Sequence, residues 1–451
     1  LVVSLITVSL YQTLATDIIM NKTNSTDADL SYTFDITDQT GRVVNVKTGA
    51  TKVLDIFVTN SNSGTIKYGI AYTPSSVKTN DITIAQLNTS KDSVSGLINK
   101  GERKQITLVI INNSTSDINL SLVAVTGYEH GGDLIVPKNH TLITENYEID
   151  EPAGAEYIES LLASNPETMN NDDPDGNVRY MGADPNNYVK FNNELWRIIG
   201  VFNVTTINPE SMKSLKIIRK DSIGSYSWDN KMMGDGSSET NYGSNNWSDS
   251  KLMEVLNNGA YWNRTFGECP TGENGTYESC NFSTTGLTEE AKELIEEVYW
   301  NTGGISYSNM SNALIDEFYQ YERGWEVYYY HKANWFGKVG LMYPSDYGYA
   351  TNGKTGTGEE CAKIPLTNWS GSRYSGCWEE NYLYDYEGSY QWTLTPLSDS
   401  PSDVIYLASY VEGDRYAAVT FSVRPVVYLK AGVKITDGDG SKSNPYILSI
   451  N

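Results

Sequence analysis

The chain has 451 residues, 39% of them hydrophobic, and sets 33 Lys and Arg against 56 Asp and Glu for a formal charge of −23. Such a length exceeds one ordinary core and predicts two or three domains. The acidity argues against nucleic acid as a partner, because a phosphate backbone would be repelled.

The first residues, LVVSLITVSLYQTLATDIIM, are mostly apolar and contain no Lys or Arg. A secretory signal carries basic residues ahead of its apolar core. The run therefore reads as the start of a processed chain, or as a signal core without its beginning. As a helix it would extend about 28 Å at 1.5 Å per residue, nearly a bilayer, and would serve as a membrane anchor or as the packed core of a type IV pilus. Val2, Val3, Ile6, Thr7, Val8 and Thr13 are β-branched and only fair helix formers, and Leu5 stands where the pilin pattern usually has Glu. As a strand, the run places Val2, Ile6, Val8, Leu10 and Leu14 on one face. An isolated strand of this kind would aggregate; inserted into the sandwich of a neighbouring copy, it satisfies its backbone and its apolar side chains together. Donor and acceptor surfaces then differ, so the contact is head-to-tail and propagates into a filament. Residues 1–29 are accordingly expected to be a donor strand followed by a polar linker, NKTNSTDAD.

Residues 30–148 carry short β-rich runs: LSYTFDIT, RVVNV, KVLDIFVTN, IKYGIAYT, KQITLVIIN and DINLSLVAVTGY. Turn-forming Gly, Asn, Ser and Asp separate them, which predicts an all-β sandwich of jelly-roll or immunoglobulin-like class. Leu54, Ile56 and Val58 alternate with Asp55, Phe57 and Thr59, the period of a sheet with one wetter face.

The texture changes near 149. Residues 149–180 predict a helix (EPAGAEYIESLLASN) and a turn-rich linker, and 181–451 an α+β domain. Helices are expected at SDSKLMEVLNNGA, TEEAKELIEEVYW and NMSNALIDEFYQY, with Ser248 and Thr288 as N-caps, and strands at KVGLMYP, VIYLASY, AAVTFSV and PVVYLKAG. Most of the 33 Tyr and ten Trp fall in this region.

Four cysteines form two close pairs, Cys269 with Cys280 and Cys361 with Cys377, which read as disulfides of an extracellular protein. The absence of C-x-x-C spacing and the presence of three His in all disfavour zinc. Roughly fourteen Asn-x-Ser/Thr sequons occur, among them Asn21, Asn24, Asn113, Asn139, Asn203, Asn274 and Asn368. They mark candidate glycosylation sites, although an Asn-, Ser- and Thr-rich chain also yields the tripeptide by chance. His130, His140 and His331 stand apart, and no catalytic frame surrounds them. No enzymatic activity is expected.

Asp173, Asp175 and Asn177 in NDDPDGNVRY have the alternate spacing of a calcium loop, but Val178 replaces the Gly of the EF-hand pattern. An ion-free Asp-Gly turn accounts for the same residues. TDGDGSKSN, with Asp437 and Asp439, is simplest as a turn. In ERGWEVYYYHKANWFGKVG, Trp325, Tyr328, Tyr330 and Trp335 are candidate sugar-stacking residues. Amphipathic rings filling a core or interface are the competing explanation.

The motifs DDPDGNVRYMGADPNNYVKFNNELWRIIGVF (172–202), LMYPSDYGYA (341–350), WTLTP (392–396) and VRPVVYL (423–429) resemble an uncharacterised domain of cell-surface proteins in gut Firmicutes and related bacteria. Its ending is similar, more distantly, to C-type-lectin-like and formylglycine-generating-enzyme-like folds. The resemblance implies a compact α+β domain with Trp392 and Arg424 in structural roles, and it transfers no catalytic residue. Residues 30–148 resemble the β-sandwich of the biofilm-fibre family of TasA and camelysin. Together these readings lead to the expectation of an extracellular fibre subunit that polymerises with itself. The alternative is a membrane-anchored or secreted adhesin that binds host or matrix glycans through 181–451.

Overall fold

The structure is a computed structural model. It describes every residue except 1–30, 36–40, 89, 128–132, 149–151, 209–210, 232–240, 354–359, 371, 385–389 and 451. The candidate donor residues Val2, Ile6, Val8, Leu10 and Leu14 therefore lie outside the described residues, as do Asn21, Asn24 and His130. The chain is mostly β and divides into two compact units, one ending at Pro152 and the other beginning at Ala153.

The first unit contains β1 (Ser31–Asp35), β2 (Arg42–Val46), β3 (Thr51–Thr59), β4 (Ile66–Thr73), β5 (Ile82–Leu87), β6 (Ser95–Ile98), β7 (Arg103–Asn112), β8 (Ile118–Thr126), β9 (Thr141–Leu142) and β10 (Asn146–Tyr147). One sheet runs β1-β3-β7-β5-β10; the other runs β2-β8-β4-β6, with β9 also on β4. Their inner faces share one core, to which β3 gives Leu54, Ile56 and Val58, β7 gives Ile106, Leu108 and Ile110, and β8 gives Ile118, Leu120 and Leu122. Each such side chain contributes about 1.5–3 kcal/mol through burial, which is what holds the two sheets together. Asp55, Phe57 and Thr59 are only half-buried, as the alternation requires. Asp55 also accepts a 2.6 Å hydrogen bond from the hydroxyl of Thr107, its cross-strand partner. Buried Asn112 closes the β7–β8 turn, donating to the carbonyls of Val46 and Ser116.

The edges of this sandwich are short. β1 pairs in parallel with β3 over Asp55–Thr59 only, and β2 pairs with β8. Val43 on β2 is 68% exposed.

In the second unit the segment expected as linker is an integral part. Helix Gly154–Ser160 packs on the main sheet, and β11 (Met169–Asn170) and β12 (Val178–Tyr180) belong to it. The sheet is built around β13 (Tyr188–Phe191), β14 (Glu194–Thr205) and β15 (Ser211–Arg219). Beyond β15 lie Val426–Tyr428 and Val339–Gly340; beyond β13 lie Tyr446–Ser449 and Lys434–Asp437. A two-residue turn joins β13 to β14, with Asn192 and Asn193 at φ 56° and 62°. Positive φ at both positions is the primed hairpin geometry. It sets the register Phe191 opposite Glu194 and hence Tyr188 opposite Arg197.

β12 lies against β14 with Arg179 opposite Gly200, where β14 bulges. A Cβ on Gly200 would lie 2.2 Å from the Val178 carbonyl oxygen, so the close approach of Arg179 depends on that glycine.

A second sheet of five strands contains Gln391–Pro396 at its centre, and two two-stranded sheets, Phe266–Gly272 with Thr276–Asn281 and Val298–Asn301 with Asn334–Gly337, add to the unit. The helices are short. The expected one near 248–260 is Lys251–Asn257, and its cap is Ser250, whose hydroxyl accepts from the Met253 N–H; Ser248 instead donates to Asn246. Thr288 caps Glu289–Leu294 as its sequence suggests. NMSNALIDEFYQY breaks into Tyr307–Met310 and Ile315–Glu322.

Candidate functional site

At the hairpin β13–β14 the side chains of Tyr188 and Arg197 form one wall of a cleft of about 540 Å³. That volume suits a small ligand. The Arg197 guanidinium stacks 3.8 Å from the Tyr188 ring and 4.9 Å from the Tyr382 ring. Its donors are fixed by Asn187, by the Pro185 carbonyl and by Asp184 at 3.3 Å. Asp184 also accepts from the Tyr188 hydroxyl at 2.9 Å. Burial lowers the Arg197 pKa, against the neighbouring Tyr188, Tyr382 and Asp184. Burial likewise raises Tyr188, in opposition to Arg197. The ring hydroxyls therefore remain neutral donors.

Across the cleft lie Lys220, paired with Asp221 at 2.6 Å, together with Ser222, Tyr384, Ser422 and Arg424. Arg424 donates to the carbonyls of Arg219 and Leu383 and is buried. Ser422 is buried as well, and its hydroxyl has no hydrogen-bond partner among the described residues. Three cations against two carboxylates make the cleft locally positive in a strongly acidic chain.

Deeper in the same unit sits a network of buried charges. Arg179 donates from Nε to Asp173 at 2.7 Å and from Nη1 to Asp346 at 3.0 Å, and Lys216 contacts the other oxygen of Asp346. All four side chains are at most 1% exposed. Burial alone would raise both carboxyls, yet the charges of Arg179 on Asp173, and of Lys216 and Arg179 on Asp346, hold them below the usual range. Glu322, also fully buried, accepts from the Ser345 N–H at 2.9 Å and from its hydroxyl. Tyr382 links the two regions: it lines the cleft, and its hydroxyl feels Arg197, Asp346 and Arg179.

This network favours the ion-free turn over the calcium loop at Asp173, Asp175 and Asn177. Asp173 is filled by protein donors: the N–H groups of Asp175 and Asn177, the Asn177 amide nitrogen and Arg179. Asp175 accepts from the Tyr319 hydroxyl at 2.5 Å. The positive charge at the loop is the Arg179 guanidinium, and Asn177 presents its NH2 rather than an oxygen. Among the described residues no cluster of three or more His, Cys, Asp or Glu side chains suits a metal ion.

The aromatic candidates separate. Trp325 and Tyr330 are 80% and 84% exposed. Tyr330 lies tilted against Tyr329, with ring centroids 3.9 Å apart and the planes at 50°. Tyr328 is half-buried against His331, and Trp335 packs edge-on against buried Trp247 at 6.0 Å. The four do not make one binding face.

Both cysteine pairs are joined, Cys269–Cys280 across a hairpin and Cys361–Cys377, both buried, across a segment of short 3-10 turns. Such bonds belong to oxidising, extracellular surroundings. No helix among the described residues is long and apolar enough to cross a membrane. Asn113, Asn139, Asn203, Asn274 and Asn368 are all exposed, so each is open to modification. Trp392 is fully buried and donates to the Tyr226 carbonyl, the structural role expected of it. Arg424 does more than its expected role, because it also lines the cleft. Arg197, Lys220, Tyr188 and Tyr382 were missed; the Asn-Asn turn between YVKF and ELWR was the signal that pairs the first and third. No protein-family model matches this chain, and no curated protein matches it.

Burial pushes the Glu322 carboxyl up to about 7, against Arg323 and the Ser345 bonds. A carboxyl raised above its unfolded value of about 4.3 holds its proton more tightly in the folded chain. Its stabilising contribution is complete below that value and is lost as pH rises through about 7. The thermal stability of the second unit should therefore fall between about pH 4.5 and 7, and Glu322→Gln should flatten that slope. A slope unchanged by the substitution contradicts the assignment.

Proposed function

We propose that the chain is an extracellular surface protein whose second unit binds, in the Tyr188–Arg197 cleft, a small polar ligand with an anionic group, of the acidic-saccharide type. The observation that carries this reading is the convergence of Arg197, Lys220 and Arg424 with Tyr188, Tyr382 and Tyr384 on one cleft. Cations suit a carboxylate, tyrosine rings suit the apolar face of a pyranose, and Ser hydroxyls with Asp184 and Asp221 suit its hydroxyls. Part of the same proposal is a lectin-like α+β architecture for this unit and a jelly-roll or immunoglobulin-like class for the first.

The test is binding of the purified chain to a panel of uronate-bearing, sialylated and neutral oligosaccharides. Acidic members should bind, and Lys220→Glu should weaken them about tenfold or more, roughly 1.4 kcal/mol, while Trp325→Ala leaves them unchanged. Binding lost with Trp325→Ala and kept with Lys220→Glu would move the site to the exposed aromatic loop.

A second reading is self-assembly into a head-to-tail filament by strand addition, with residues 1–20 as donor and the first unit as acceptor. The two-sheet sandwich of the first unit, with β1 and β2 each at the end of a sheet among the described residues, supports it, since strand addition takes place at sheet edges. Deleting residues 1–15 should turn polymers into monomers in electron micrographs and sedimentation. Filaments that persist after the deletion contradict this reading.

A further inference from the structure

Lys216 lies on β15 and Asp346 in the first turn of helix Pro344–Tyr349, 130 residues apart in the chain. Their side chains meet at the centre of the second unit, both fully buried. Around the Lys216 ammonium stand four rings, Tyr343 at 4.3 Å, Phe202 at 5.2 Å, Tyr428 at 5.5 Å and Trp300 at 6.0 Å. They close an aromatic cage around one amine and one carboxylate.

We propose that Lys216 and Asp346 condense after folding into an intramolecular amide bond. The Lys216 nitrogen adds to the Asp346 carboxyl carbon. The bond from that carbon to Oδ2 breaks, and Oδ2 departs as water with two of the three ammonium protons; the third stays on the amide nitrogen. One N–C bond forms, one C–O bond breaks, and the opposite charges of ammonium and carboxylate vanish together. No oxidant, reductant or activated donor enters.

Three features of the site favour the step. Proximity is supplied by the fold, and a well-oriented intramolecular pair reacts at effective concentrations of about 10⁵ M or more. Arg179 Nη1 holds Oδ1 at 3.0 Å, the oxygen that carries the negative charge of the tetrahedral adduct, and the Tyr343 N–H donates to Oδ2 at 2.9 Å. Finally, condensation removes one buried charge of each sign, which desolvation penalises more than a hydrogen-bonded amide, and Arg179 keeps the Asp173 carboxylate and the Oδ1 carbonyl as its partners. The lysine is also predisposed to attack, since burial lowers its pKa to about 8 despite the pull of Asp346. Glu322 stands nearby with its carboxyl raised to about 7, a group able to relay a proton near neutral pH.

The proposal is independent of the ligand cleft and of filament formation. Its test is a tryptic digest of the purified full-length chain after reduction of the disulfides. The expected product joins residues 214–219, uncut after Lys216, to residues 339–354, at the summed mass less one water. Neither peptide contains a sequon, so glycans do not complicate the reading. Recovery of the two peptides separately, with cleavage after Lys216, overturns the proposal. Lys216→Arg should abolish the joined species and restore the missing water; should that variant fail to fold, the digest of the unaltered chain still decides.

Discussion

The second unit is organised by one buried cation. Arg179 bridges Asp173 of its own turn and Asp346 of a helix far along the chain, with Phe202 at 4.5 Å and Tyr349 at 4.8 Å from the guanidinium. Isolated in so dry a place, a guanidinium would be prohibitive, and removing one partner from such a pair typically costs about 3–5 kcal/mol. The planar fork of Arg meets two carboxylates at once, which Lys would not do. DPDGNVRY and LMYPSDYGYA are drawn together for this reason, and Gly200 is bare so that the strand bearing Arg179 can lie close.

From that node the rest of the unit follows. Asp346 orients Lys216 on β15 and caps the helix after Pro344 through the Tyr343 N–H. Pro suits the first helical position, where its missing N–H is not needed. β14 runs from the node to the hairpin that carries Arg197, so the buried charges and the cleft share one rigid strand. A binding surface placed on sheet ends and supported by a fixed interior keeps its geometry without a ligand.

Much of the sandwich was legible in the sequence because alternation survives tertiary context. Leu54, Ile56 and Val58 face the core as their period requires. β5 and β6, in DITIAQL and SGLI, were not legible: SGLI is only four residues with two apolar positions, and DITIAQL is followed by the polar run NTSKDS. Ser250 replaced Ser248 as a cap because the chain between them forms a tight turn ending at Asp249. Between the calcium loop and the ion-free turn the sequence could not choose by acidic spacing alone, because the arginine that fills the loop stands two residues beyond it and faces inward. The disulfides were legible from local spacing alone. The cleft was not, since it joins β13–β14 to Lys220, Tyr382 and Arg424 across more than two hundred residues, and only the Asn-Asn turn hinted at one wall.

The most direct measurement of the account is amide hydrogen exchange at the N–H groups that bond to the buried carboxylates. Those of Asp175 and Asn177 donate to Asp173 and that of Ser345 to Glu322. All lie in turns or at a helix start, where exchange is ordinarily fast. If the Arg179 network is the anchor of the unit, they should exchange as slowly as the amides of β14 and β15, by global unfolding alone. Exchange at the rate of the exposed loops would show that the network opens on its own and does not hold the unit together.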